Sequence, residues 1–329
     1  MRTWGSGRGW IQTHGRNLGM MLALGLALLI LAVFSPKYMS LDNFIVVAMQ
    51  MAFIGIAALG TTPLVISGNI DLSIGSQFAL TAVCSSLLAR WVPPIVAVAG
   101  GIALGGVIGW LHGAMVWRIR LSPILITLGS MAVLRGIVLL LTGGYSVREV
   151  PAAFSALGQA RPLGVPMPVA AMLAMAITVH VLLSRTTVGR HVYAIGGNLE
   201  ACRASGIPVR RFVLATFAGN GLIVGLAGVL AASRFGSASP AFGVAMELDV
   251  ITAVILGGVA FSGGEGNVLG VMLAVALLGV INSGIVSLGL DPHYAEVVKG
   301  AGLIIAVALD QFSQEARIRY RRFLAMKER

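Results

Sequence analysis

The sequence predicts an all-α fold: a polytopic transmembrane helix bundle of about ten spans, with both termini in the cytoplasm. Three observations predict it. Of the 329 residues, 57% are apolar and only 11% are charged, whereas a soluble domain is about one quarter charged. Apolar runs close to the ~20 residues needed to cross a bilayer recur along the chain. Basic residues gather in alternate loops. With a mean hydropathy of +0.92, a water-soluble fold of this length could not hide its apolar surface. A cytosolic enzyme, a secreted disulfide scaffold and a disordered chain are thereby excluded. The two cysteines, Cys84 and Cys202, lie in different segments and imply neither a disulfide framework nor a zinc site.

The spans follow in order. The first runs from about Leu18 to Phe34. Its apolar run is longer than a signal-peptide core, and Ser35-Pro36-Lys37 is a poor cleavage site, so it reads as an anchor that stays. The second covers about Phe44 to Ile66, the third Ile74 to Leu88, the fourth Ile95 to Val116 and the fifth Ile124 to Leu141. The sixth covers about Met167 to Leu183, the seventh Phe212 to Ala232 and the eighth Leu248 to Phe261. The ninth covers Val268 to Leu288 and the tenth Ala295 to Leu309. The third and eighth are short and glycine-flanked, as broken or re-entrant segments are.

Charge sets the orientation. Arg2, Arg8 and Arg16, the pair Arg118 and Arg120, the connector from Arg185 to Arg211 and the tail from Arg317 onward fall on one side. Only Lys37, Arg90, Arg148, Arg161 and Arg234 fall on the other. Positive charge marks the cytoplasmic side, so an even number of spans fits best. The net charge of +11 therefore reads as basic cytoplasmic loops, not as nucleic-acid binding. The organisation expected is a cytoplasmic segment over 1–17, a transmembrane domain over 18–310 with its longest cytoplasmic connector at about 184–211, and a basic tail over 311–329.

Catalytic chemistry has no visible apparatus. The lysines Lys37, Lys299 and Lys327 each follow a non-glycine residue, so no phosphate-binding G-x-x-x-x-G-K loop exists. The five histidines are scattered, with no H-E-x-x-H and no G-x-S-x-G elbow. Gly263-Gly264-Glu265-Gly266 lacks the strand–turn–helix setting of a phosphate cradle and reads as a packing turn. An apolar, multi-span chain of this kind moves something.

The connector carries the clearest local signal. Gly196 and Gly197 precede Asn198, a good N-cap, and Leu199 to Ser205 holds good helix formers. Gly206 supplies a stop, and Pro208 bars continuation. A two-turn helix is too short to stand alone in water and needs a partner. It is either an ordinary surface connector or a coupling helix seated in a groove of a cytoplasmic motor.

Here the sequence resembles a known family. Glu200-Ala201-Cys202, Arg203 and then Gly206 follow the E-A-A-x-x-x-G pattern of importer permease loops. Ser67-Gly68-Asn69-Ile70-Asp71-Leu72-Ser73-Ile74-Gly75-Ser76 resembles the G-G-I-D-L-S-x-G-S segment of ribose-type permeases. Pro123, Thr127-Leu128-Gly129 and Leu134-Arg135-Gly136 resemble their P-x-x-x-T-L-G … L-R-G stretch. Glu247-Leu248-Asp249, Gly257-Gly258 and Gly263-Gly264 resemble their E-L-D … G-G … G-G run. The departure is Asn69, where the family usually has glycine; asparagine tolerates positive φ best after glycine.

The resemblance covers roughly residues 44–310 and implies the membrane permease subunit of a bacterial sugar ABC importer of the ribose/xylose/arabinose/rhamnose group. It implies a multi-pass protein of the cytoplasmic membrane. Its partners would be a second permease, identical or paralogous, a cytoplasmic ATPase that binds ATP and magnesium, and a periplasmic sugar-binding protein. The basic tail either touches anionic lipid or the ATPase, or only fixes topology. This chain itself would be a transport subunit without enzymatic activity or cofactor. A non-sugar solute of the same family (autoinducer-2, a nucleoside or inositol) and an ATP-independent secondary transporter are the alternatives.

Polar residues within the spans are the remaining candidates. Charges at bilayer depth are costly and are therefore paired, water-facing or functional. Asp71, Ser73 and Ser76 either cap the third helix, with Asp71 as its N-cap, or line the path or meet the ATPase. Arg135 sits mid-span as an anchor or a gate. Glu296 and Lys299 share a helix face and are expected to pair. Gln77, Asn220 and Asn282 suit either a hydroxylated solute or helix–helix adhesion. Glu247 and Asp249 complete the set. The glycines of 100–109, 219–228 and 257–258 read as helix-packing positions. A short echo between Ser67-Gly68 … Gly75 and Ser262-Gly263 … Gly270 is compatible with an internal repeat.

Overall fold

The structure is a computed structural model that describes residues 6–305, 307 and 308. The basic tail expected over 311–329 lies outside the described residues. Every element is helical. In order these are α1 (Ser6–Phe34), α2 (Leu41–Ile66), α3 (Ile74–Leu88), α4 (Pro94–Ile119), α5 (Pro123–Thr142), α6 (Ala152–Gln159) and α7 (Met167–Arg185). They continue with α8 (Thr187–Gly197), α9 (Leu199–Ala204), α10 (Val209–Phe235), α11 (Met246–Leu256) and α12 (Val268–Ser287). A last helix, α13, covers 293–305. No strand forms among the described residues; Val147 and Ala238 make one isolated bridge.

Seven of these helices, α1, α2, α4, α5, α7, α10 and α12, are long and apolar enough to cross a membrane. Three of the ten expected spans are not among these: the tenth, expected to reach Leu309, is described as helix over 293–305, 307 and 308, and the third and eighth are shorter than a crossing. α3 has 15 residues and α11 has 11, or about 22 and 16 Å at ~1.5 Å per residue. The eighth span, expected to reach Phe261, ends at Leu256 because Gly257 and Gly258 follow, the latter at φ +90°. Chain without regular structure adjoins both helices. It is held inside protein, as membrane depth demands: Ser67, Asn69, Ile70, Asp71, Val259 and Ala260 are all buried.

Glycine sets how closely the central helices pack. α4 and α10 cross with Gly105 against the Gly221 carbonyl and Gly109 against the Phe217 carbonyl, where a side chain would collide with backbone. α2 is the hub. Its buried face (Met51, Ile56, Leu59, Val65) meets α7, α10, α11 and α12 in one apolar core with Val224, Val250 and Val271. α1 packs on the outside of α12, joined at one end by Ser35 Oγ and Ser287 Oγ, 2.7 Å apart. Tyr38 is buried beside them.

Candidate coupling site and buried polar cluster

The connector from 184 to 211 carries two helices where the sequence suggested one. Thr186 caps α8, accepting from the Gly189 amide at 3.2 Å. Asn198 caps α9, accepting from the Ala201 amide at 2.9 Å, as the sequence predicts. Gly206 ends it at φ +75°, and Pro208 precedes α10. On α9, Glu200 and Arg203 form an exposed ion pair at 2.8 Å. Arg203 also lies over the Trp117 ring at 6.0 Å.

α8 anchors this pair of helices to the bundle. Its apolar face (Ile195, with Cys202 of α9) packs on Leu64, Val209, Val213 and Phe217. The Tyr193 hydroxyl donates to the Gly266 carbonyl at 2.8 Å. Burial pushes the Tyr193 phenol up from its ordinary value, so it stays a donor. Gly196 lies against the Ile66 carbonyl at the end of α2 and the Gly264 amide after α11. Those two also join directly, Gly264 N–H donating to Ile66 O at 2.8 Å. The sequence echo therefore becomes a physical meeting: Gly68 and Gly263 are packed against one another, with α8 wedged where they meet. Gly263-Gly264 is the packing turn expected, not a phosphate cradle. Gly68, at φ +82°, takes the left-handed position of its turn; Asn69 takes none, so its substitution for glycine costs no strain.

A cavity of about 1030 Å³ opens between this wedge and the end of α4. Arg120, Arg203, Arg210, Trp117, Asn198 and Asn69 line it, and none of the described lining residues is acidic. Sequence reasoning missed Trp117 and Tyr193; both lie within a few residues of the basic and glycine positions it did select.

The second group of candidates forms a buried cluster. Asp71 is not the N-cap of α3; Ser73 holds that position, without a side-chain cap. Instead Asp71 Oδ1 accepts from the Ser73 amide at 2.8 Å and from the Ser73 hydroxyl at 2.6 Å. Its Oδ2 accepts from Gln77 Nε2 at 3.0 Å and Asn220 Nδ2 at 3.1 Å. Asn220 is tied in turn to Thr61 at 3.1 Å. His112 Nδ1 stands 3.7 Å from Asp71, its other nitrogen 2.6 Å from the Ser130 hydroxyl. A buried carboxylate is tolerable only when paired and hydrogen-bonded, and here α3 with its N-cap, α4 and α10 supply the partners, with α2 and α5 behind them through Thr61 and Ser130. Asp71, Ser73, Gln77 and Asn220 are all buried, and their hydrogen bonds tie α3 to α10. His112 and Thr61 were missed. His112, a titratable residue inside a span, was the available signal.

The remaining candidates are separate. Arg135 Nη1 donates to the Pro240 carbonyl at 2.6 Å and to the Phe242 carbonyl at 2.9 Å, with Glu247 in electrostatic reach. Lys299 pairs with Asp249 at 2.8 Å, not with Glu296, because α13 lies against the start of α11. Asn282 is half-buried on α12, and no hydrogen bond joins it to the polar cluster.

A family model described as the permease component of branched-chain amino acid transport systems matches residues 43–307. The chain belongs to this permease family. It is 36% identical over 299 residues to the ribose import permease protein of Escherichia coli (strain K12), covering 89% of this chain and 93% of that one. The ribose import permease protein of Bacillus subtilis (strain 168) is 36% identical, over 90% and 93% of the two chains. The L-arabinose transport system permease protein of Escherichia coli (strain K12) is 32% identical over 94% of each chain. No solved structure matches. The chain is thus a permease with several apolar helices able to span a membrane, related to sugar ABC transport permeases.

Proposed function

We propose that this chain is the transmembrane subunit of an ATP-driven importer that moves a sugar into the cytoplasm by alternating access. The observation that carries the reading is the wedge: α8 and α9 present an exposed ion pair outward, while Gly196 touches two non-helical breaks at once. A motor pressing on α9 would shift α8, and with it the ends of α2 and α11. ATP and magnesium belong to that separate ATPase, and the arginine-lined cavity suits an acidic patch on it. A second permease, identical or paralogous, completes the pore, and a periplasmic binding protein supplies the solute and its selectivity.

The fold supports ten crossings with both ends in the cytoplasm. Asn17 lies against Gly270 at the start of α12, the end of the bundle that carries α8. α13, paired through Lys299 to the start of α11, runs back toward the same end. The setting is the bacterial inner membrane.

A sugar is favoured because similar permeases are named for ribose, allose and arabinose import. The experiment is uptake into proteoliposomes holding the permease, its ATPase and its binding protein, with labelled ribose, allose and arabinose against leucine and inositol. Uptake of a sugar and not of leucine or inositol supports the reading; uptake of leucine or inositol alone would transfer the chain to the non-sugar alternatives.

A further inference from the structure

The chain between α10 and α11 reaches deep into the bundle. Gly75, at the start of α3, and Gly243 approach so closely that a Cβ on either would strike the other's carbonyl. Phe78, further along α3, sets its carbonyl against Gly228, inside α10 and not at its end. The Phe242 ring lies tilted against that of Phe78, centroids 6.2 Å apart. α10 has 27 residues, a length of about 40 Å, so this junction lies well within the slab. Ala238, by contrast, pairs with Val147 beyond the end of α5. From Ala238 to Gly243 the chain therefore descends from the bundle end without helix. Arg135, in the middle of α5, holds it there by the Pro240 and Phe242 carbonyls. Glu247 closes the group against Gly75.

This stretch is only partly covered by the rest of the chain. Ala241 and Ala245 are exposed, and Val244 is 67% exposed. Hydrocarbon cannot satisfy irregular backbone, which at this depth must be buried in protein or line a water-filled space. A guanidinium and a carboxylate at the same depth obey the same limit. Lipid is thus the one neighbour this face cannot have.

We propose that residues 239–245, with Arg135 and Glu247, line the solute route where α3 and α11 begin. Two carbonyls engage one nitrogen of Arg135, and a guanidinium carries five N–H donors. Donors left over beside a carboxylate suit a neutral, polyhydroxylated solute, which needs both a donor and an acceptor at each hydroxyl. The inference rests on the transport reading above and adds the face of the chain that the solute touches.

The test is thiol accessibility in the complete transporter, with Cys84 and Cys202 replaced by serine. Single cysteines are placed by Ala241→Cys, Val244→Cys and, as a lipid-facing reference, Leu140→Cys, whose native side chain is 85% exposed. The probe is a charged, water-soluble methanethiosulfonate. The loop cysteines should react at least tenfold faster than Leu140→Cys, and excess solute should slow them. Reaction no faster than at Leu140→Cys, whether lipid or a second copy covers the loop, would overturn the assignment. Labelling requires no ATP, so it is independent of what powers uptake.

Discussion

Replacing Gly196 by alanine isolates the wedge. The added methyl would stand 2.5 Å from the Gly264 nitrogen and closer still to the Ile66 carbonyl oxygen. Real contacts of this kind stay above 3.0 Å, and both neighbours are backbone, so neither can rotate away. α8 must back off, or the Gly264–Ile66 hydrogen bond must open. Overpacking of this sort costs about 1–3 kcal/mol, and the hydrogen bond adds about 1 kcal/mol. A loss of about 2–4 kcal/mol lowers the docked-to-undocked ratio roughly 30- to 700-fold. Gly197 is the matched control, because its added Cβ would meet nothing within 4 Å. In proteoliposomes with the ATPase, Gly196→Ala should lose most ATP-driven uptake while the permease still inserts and purifies with its partners. Gly197→Ala should stay near wild type. Equal behaviour of the two variants, in either direction, would refute the reasoning.

Three further outcomes follow from the same geometry. Asp71→Ala strands Gln77, Asn220 and Ser73 in the core and should cost about 3–5 kcal/mol, seen as a lower unfolding temperature in detergent; Asn220→Ala, which removes fewer partners, should cost less. Lys299→Ala leaves Asp249 unpaired at depth and should lower the membrane-inserted yield, which Lys299→Ala combined with Asp249→Ala should partly restore. Glu200→Gln breaks an exposed pair worth about 0–1 kcal/mol, so unfolding in detergent should not change, while co-purification with the ATPase should weaken.

Much of the fold was legible because apolar length and glycine breaks are local signals. The limits of α3 were read to the residue, since a polar, glycine-bearing turn precedes Ile74 and Arg90, Pro93 and Pro94 follow Leu88. α9 was legible through Asn198 and Gly206, whose capping roles need only neighbouring backbone. α8 was not, because its glycines and Arg190 look like loop; its helix is held by tertiary contacts at Val192, Ile195 and Tyr193. The end of α11 was overrun because Val259, Ala260 and Phe261 are apolar, yet they lie beyond a left-handed Gly258. Among the candidates, Asp71, Gln77 and Asn220 were each selected for polarity at depth. That the Asp71 carboxylate gathers the other two could not be read, since Asn220 is far from Asp71 in sequence. The pairing of Lys299 failed for the same reason: helical spacing favoured Glu296, and Asp249 arrives only through the packing of α13.

The central claim is that this permease draws its work from a separate ATPase acting on α8 and α9. The most direct measurement is sugar uptake into sealed proteoliposomes carrying the assembled complex, with ATP trapped inside or absent and ion gradients collapsed by ionophores. The account predicts uptake that requires ATP and survives the ionophores. Uptake that persists without ATP and vanishes with the gradient would contradict it.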